Sequence, residues 1–341
     1  MPLDRSGSTL RLPARHASAG LLSAGIAKCS VLGFLVGGLI MGALGGCAVQ
    51  KAPPNALAPA PHDPARVVLE PETFASELAS NDSRRVILDV RKPEDFEAAR
   101  VAGARRVDLD AWSKAAREGE GFRDLASWSG RIASLGVDRD TRVIVYDAGN
   151  MTDAARAWFI IQYFGVKEVS VINGGWKNLQ PLLGSASVAS GPDQSTVRIA
   201  DFQAKPLGAV RLASRDDVKQ FSRDKSVAIL DARTADEYSG KDKMRNARGG
   251  HVPGASNIPH RSMLDENGRL RSPAELRSIL ETQGFTPDES TVAYCQSGGR
   301  ASLAALAAVR AGFANVSNYY NSMSEWLNDE SCPIEEVAAK P

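Results

Sequence analysis

The sequence predicts an α/β fold built from two copies of one unit, each a mainly parallel sheet flanked by helices on both faces. Three observations predict it. Long stretches recur: "VVLEPETFASELASNDSRRVILDVRKPEDF" (Val67–Phe96) matches "VRLASRDDVKQFSRDKSVAILDARTADEY" (Val210–Tyr238). The spacing is steady, with Asp89 and Asp231 separated by 142 positions and Tyr146 and Tyr294 by 148. A period that long means duplicated domains and not a solenoid. Within each copy, short β-branched runs alternate with helical segments, the pattern of parallel strands covered on both faces.

The chain is 341 residues long, which suits two domains. Residues 1–46 read as a lipoprotein-type signal peptide. Arg5, Arg11, Arg15 and Lys28 form a basic region ahead of "CSVLGFLVGGLIMGAL" (Cys29–Leu44). That run is uncharged, short for a membrane span and of signal-peptide size. It ends in "LGGC", and small residues before Cys47 resemble the lipobox of bacterial lipoproteins, whose cysteine is lipidated and becomes the new N-terminus. The other reading is an uncleaved membrane anchor; either one exports the rest of the chain. Residues 47–66 are an Ala/Pro-rich tether that cannot build a core.

The first copy spans 67–184 and the second 208–335, joined by a linker at 185–207 rich in Ser, Gly and Ala. Each copy opens with a short strand, a polar helix start, an amphipathic helix and a buried strand ending in "LDVR" or "LDAR". Further on, "TRVIVYDAGNMTDAARAWFIIQYFG" (Thr141–Gly165) matches "STVAYCQSGGRASLAALAAVRAGF" (Ser290–Phe313). The copies close with "VSVINGGWKNL" (Val169–Leu179) and "VSNYYNSMSEWL" (Val316–Leu327).

Composition excludes several functions. With 43% hydrophobic and 24% charged residues and a net charge of +1, the chain lacks the basic excess of nucleic-acid binders. Four Cys are too few for a disulfide scaffold and form no zinc spacing, and four His argue against a His-rich metal site.

Chemistry concentrates at Cys295. "TVAY" (Thr291–Tyr294) is a buried strand, and "ASLAALAAV" (Ala301–Val309) has high helix propensity. The intervening "CQSGGR" turns strand into helix at a carboxyl strand end, where ligands of such sheets bind. Gly298 and Gly299 allow backbone angles that other residues resist, so successive N–H groups can converge. The first helical turn adds unpaired donors and a positive dipole end, and Arg300 adds a full charge. Such surroundings stabilise a thiolate and would equally hold a persulfide. Read alone, Cys295 fits a buried core cysteine as well; its position and the following Gly-Gly-Arg favour the nucleophile. A cysteine phosphatase also sets a thiolate before a helix, but its signature is cysteine, five residues, arginine. Here four residues, Gln296–Gly299, intervene, and Ala301 stands at that arginine's place.

With "LDVRKPEDF", "LDARTADEY", "GGHVPGASNIP" (Gly249–Pro259) and the "CQSGGR" loop in hand, the chain resembles the tandem-domain rhodaneses, from about Val67 to Cys332. The resemblance implies a sulfurtransferase whose second domain is catalytic. The first has lost its cysteine, since Asp147 stands opposite Cys295. It further implies double displacement through a Cys295 persulfide, with a small anionic sulfur donor and a thiophilic acceptor such as cyanide or a thiol, and neither metal nor organic cofactor. Gln296, Ser297, Gly298, Gly299 and Arg300 are the substrate-binding candidates of the loop.

Arg233 matches a family position that attracts the anionic donor; the alternative is an ion pair with Glu237. Arg300 either orients the donor or caps the loop. Asp231 and His251 read as structural, and Arg245 and Arg248 either widen the positive field or form a solvated cluster. Asp147, Arg156 and Trp176 hold the matching features of the first domain, while Trp158, Trp176 and Trp326 read as packing. Cys332 is either a resolving thiol or a bystander. In the family a basic residue two places after the cysteine goes with thiosulfate, and a "C-G-S-G" start with mercaptopyruvate. Ser297 and Gly298 fit the second, Gln296 and Arg300 do not, and export favours an inorganic donor. Thiosulfate is therefore expected, with 3-mercaptopyruvate as one alternative and a sulfur-carrier lipoprotein without turnover as another. A monomer facing the periplasm of a bacterial envelope on an N-terminal lipid anchor is expected.

Overall fold

In the computed structural model, residues 63–80, 82–193 and 196–337 are described. The signal segment, Cys47 and the tether as far as residue 62 lie outside the described residues. Among the described residues, no helix is long and apolar enough to cross a membrane.

Two five-stranded parallel sheets share one strand order. In the first, Val68–Leu69, Glu168–Ile172, Arg142–Tyr146, Arg85–Asp89 and Arg105–Arg106 lie side by side. In the second, the sequence is Arg211–Leu212, Val316–Asn318, Thr291–Tyr294, Ala228–Asp231 and Ser256–Asn257. Leu88 pairs with Val145 in one, Tyr294 with Asp231 in the other. Both central strands are β-branched runs buried on both faces, as parallel strands under two helical layers must be.

Side-chain alternation along these strands decides what faces what. Val143 and Val145 point into a core that also contains Ala293 and Cys295. Ile144 and Tyr146 point the other way, into a cluster private to the first domain, and Val292 and Tyr294 into one private to the second. Thus Cys295 is on the face of its sheet that meets the other domain. The shared core is closed by two helices, Thr152–Tyr163 and Gly299–Arg310, whose buried alanines (Ala154, Ala155 and Ala157; Ala304, Ala305 and Ala308) allow close approach. Aromatic rings seal it: Tyr320 of the second domain lies edge-on to Phe122 at 5.0 Å and stacks on Phe159 at 5.9 Å.

Polar contacts fix the pairing of the domains. Leu270 donates its N–H to Asn173 Oδ1 at 2.6 Å, and the Asn173 amide returns a bond to the Leu270 carbonyl at 3.2 Å. The segment between the sheets is packed, not loose. Val188–Ala189 pairs antiparallel with Arg100–Val101, and Phe202 and Ala204 are buried in the shared core. Its small-residue composition hides these anchors.

Candidate active site

The strand Thr291–Tyr294 delivers Cys295 to the carboxyl end of the sheet, and the helix Gly299–Arg310 begins four residues later. Cys295 is 1% exposed. Its Sγ accepts the Gly298 N–H at 3.2 Å. That bond requires Gly298 at φ +93°, where a Cβ would also lie 2.8 Å from the Tyr320 carbonyl oxygen. The loop is tied from outside. Ser322 Oγ accepts the Cys295 N–H at 3.0 Å and sits 3.9 Å from Sγ, and the carbonyls of Cys295 and Gln296 accept the N–H groups of Met323 and Ser324.

Of the loop candidates, Gln296 forms a reciprocal amide pair with Asn246, at 3.2 and 3.4 Å. The Ser297 carbonyl accepts from Arg156 at 2.9 Å and from Arg117 at 3.4 Å, both residues of the first domain. Gly299 is the first residue of the helix, and a Cβ there would lie 2.7 Å from Arg156 Nη2. Arg300 forms a two-pronged ion pair with Glu237, at 2.6 and 2.8 Å, with Glu237 2% exposed. Burial pushes the Glu237 carboxyl up, but Arg300 outweighs it and holds that carboxyl below its ordinary range.

Glu237 is therefore the partner of Arg300, not of Arg233. Arg233 instead binds Asp231 through Nε and Nη2, and its Nη2 also donates to the Gly250 carbonyl at 2.9 Å. The repeat supplies an internal control. In the domain without a cysteine, Arg91 makes the same contacts, with Asp89 and the Ala99 carbonyl. Tyr146 and Tyr294 complete the two clusters, Tyr294 donating to Asp231 at 2.7 Å. A network present in both copies belongs to the fold. The sequence alone did not show which carboxylate each arginine takes, because both carboxylates lie within four residues of Arg233.

Other charges near the loop are also committed. Arg248 donates to four backbone carbonyls, of Trp326, Leu327, Asp329 and Cys332, and so caps the end of the helix Ser322–Trp326; it is not a solvated charge. Arg245 is exposed at φ +68°. His251 stacks on Tyr238 at 3.7 Å, donates through Nδ1 to the Tyr238 carbonyl at 2.9 Å, and pairs its backbone with Glu335, ordering the turn. Cys332 is 1% exposed, and burial pushes its thiol up, both of which disfavour a resolving role. Trp158, Trp176 and Trp326 are buried packing residues; Trp176 stacks on Tyr146 beneath the Arg91 guanidinium.

The twin position of Cys295 is built differently. Asp147 is 1% exposed and turns its carboxylate onto the N–H groups of Gly149 and Ala154 at 2.8 and 3.1 Å. Burial nevertheless pushes its carboxyl up to about 6. Where the second domain has Ser322 at φ +55°, the first has Gly175 at φ +58°, and a Cβ there would lie 2.5 Å from Asp147 Oδ1. The carboxylate fills the space that Ser322 occupies beside Cys295. Sequence reasoning missed Ser322; aligning "NGGW" (Asn173–Trp176) with "YNSM" (Tyr320–Met323) would have exposed it as a side chain placed where the twin tolerates none.

A cavity of about 440 Å3, lined by Arg66, Trp158, Gln162, Lys167 and Leu207, lies at the amino ends of the first sheet's strands; none of the loop residues lines it.

Fold and site together define a duplicated α/β protein with a cysteine loop in one copy and an aspartate at the twin position of the other. The chain belongs to the rhodanese family: the rhodanese-like domain matches residues 70–181 and 214–329. It is 33% identical over 213 residues to the 3-mercaptopyruvate sulfurtransferase of Escherichia coli (strain K12), covering 60% of this chain and 72% of that one. It is 32% identical over 205 residues to the thiosulfate sulfurtransferase of Gallus gallus, covering 60% and 69%. Among solved structures, SseA from Escherichia coli, a 3-mercaptopyruvate sulfotransferase with the rhodanese fold, superposes with a TM-score of 0.62 at 25% identity, covering 75% of this chain and 98% of that one.

Proposed function

We propose that the protein is a sulfurtransferase that moves a sulfane sulfur from thiosulfate to a thiophile through a Cys295 persulfide. The observation that carries this reading is the Gly298 N–H directed at Sγ, 3.2 Å away, at a strand end whose twin carries Asp147. The Cys295 thiolate attacks the outer sulfur of thiosulfate. The new S–S bond forms as the old one breaks, and the electron pair leaves with sulfite. A thiophile then takes the outer sulfur, and its departure restores the thiolate. Splitting one transfer into two displacements is nucleophilic covalent catalysis. The Gly298 N–H and the start of the helix present donors and a positive dipole end to the sulfur in both steps. Arg233, paired with Asp231, holds the fold beneath the loop and adds no net charge to it.

The 3-mercaptopyruvate reading is supported by Ser297–Gly298 and by the Escherichia coli relative. Thiosulfate and cyanide should yield thiocyanate with this protein, and Cys295→Ser should abolish it. Faster turnover of 3-mercaptopyruvate than of thiosulfate would refute the donor assignment. No turnover of either donor, with sulfur loaded onto Cys295 by a partner protein, would make the chain a carrier. Equal activity in Cys295→Ser would end the mechanism. We further propose that the chain is exported and anchored through lipidated Cys47; acyl labelling that persists in Cys47→Ala would refute that.

A further inference from the structure

The positive charges around the catalytic loop are mostly neutralised or engaged elsewhere. Arg300 is paired with Glu237, Arg233 with Asp231, and Arg248 caps carbonyls after Trp326. Arg156 differs. It stands on the helix Thr152–Tyr163 of the domain that lacks the cysteine, yet its Nη1 donates to the Ser297 carbonyl at 2.9 Å and to the Tyr320 hydroxyl at 3.0 Å. Its guanidinium lies over the Tyr320 ring at 5.5 Å and against Gly299, which has no Cβ to obstruct it. Both hydrogen-bond acceptors are neutral, so its charge is not cancelled by direct contact. Burial works against that charge, but Tyr320 and the Cys295 sulfur outweigh it and hold the guanidinium above its ordinary range.

We propose that Arg156 is a positioning residue for the nucleophile, supplied across the domain interface. It draws the Ser297 carbonyl away from the sulfur so that the Gly298 N–H faces Sγ, and it provides the counter-charge for the Cys295 anion. The domain without a cysteine is then an obligatory half of the active site and not only its wall. The inference rests on the sulfur-transfer reading solely for the use made of the anion; the thiol can be titrated whether or not any donor turns over.

The test uses the full chain with Arg156→Met, Arg156→Lys and Tyr320→Phe. The measurement is the pH profile of iodoacetamide alkylation at Cys295, resolved by peptide mass spectrometry, with urea midpoints recorded in parallel. Arg156→Met should raise the Cys295 pKa by at least one unit, a tenfold loss of thiolate below the pKa. Arg156→Lys, which keeps charge without the fork, should recover most of the shift. Tyr320→Phe, which keeps the ring and removes one acceptor, should raise the pKa by less than Arg156→Met. A folded Arg156→Met with a shifted urea midpoint and an unchanged alkylation profile would overturn the proposal. If Arg156→Met does not fold, a folded Arg156→Gln variant, which also removes the charge, that leaves the profile at the parent value would overturn it equally.

Discussion

The Arg300–Glu237 pair separates a structural arginine from a donor-binding one. Glu237 is buried at 2% side-chain exposure and Arg300 at 18%, with contacts of 2.6 and 2.8 Å. Replacing Arg300 with Met leaves Glu237 Oε2 with the Thr234 N–H and hydroxyl at 3.2 and 3.0 Å, and deprives Oε1 of its Arg300 bond. Breaking a buried pair from one side costs about 3–5 kcal/mol. The remaining Thr234 donors and the partly open arginine end bring the expected loss to about 3 kcal/mol. Glu237→Gln leaves an arginine that water can reach and should cost about 1–2 kcal/mol. The double variant should then show a coupling energy of about 2 kcal/mol in urea unfolding followed by circular dichroism. The carboxyl titrates lower in the folded protein, so its contribution is present above the unfolded pKa near 4 and is lost as pH falls through the folded value. In kinetics, both single variants should lower kcat while KM for thiosulfate stays within about threefold, a ground-state change under 1 kcal/mol. A coupling energy below about 0.5 kcal/mol, or a KM rise confined to Arg300→Met, would show that Arg300 holds the donor and not the loop.

Gly298→Ala combines a left-handed φ with a Cβ 2.8 Å from the Tyr320 carbonyl oxygen, and should destabilise by about 2–4 kcal/mol in urea while removing thiocyanate production; a stable, active variant would refute the loop geometry. Asp147, with its carboxyl raised to about 6, binds a proton more tightly folded than unfolded. The stability of the parent relative to Asp147→Asn should therefore fall as pH rises from about 4 to 6, by on the order of 3 kcal/mol; a flat difference would refute it. Arg248→Ala strips donors from four carbonyls and should cost about 2–4 kcal/mol with KM unchanged. A stability loss below about 0.5 kcal/mol would return Arg248 to the solvated cluster.

The sequence alone determined the duplication, the parallel α/β architecture and the strand-to-helix loop that carries Cys295. These are local or periodic properties: β-branched strands, a Gly-Gly turn before an alanine-rich helix, and two copies of "LD-x-R". It also isolated Cys295, because comparison of two copies needs no third dimension to find Asp147 at the twin position. Only the tertiary structure decided which charges meet. Arg300 and Arg233 could equally hold a donor or serve the structure, and Arg248 could widen the field or sit in a solvated cluster; each has a different fixed partner, Glu237, Asp231 and a set of carbonyls. Arg156 lies 139 positions from Cys295 in the sequence, yet its guanidinium reaches the Ser297 carbonyl because two alanine-rich helices pack closely enough to carry it there. Side-chain pairing across a domain interface depends on the crossing of helices and the few ångströms left by small residues. Neither is written in the periodicity of either strand or helix, so the partner of the Cys295 loop was settled by packing.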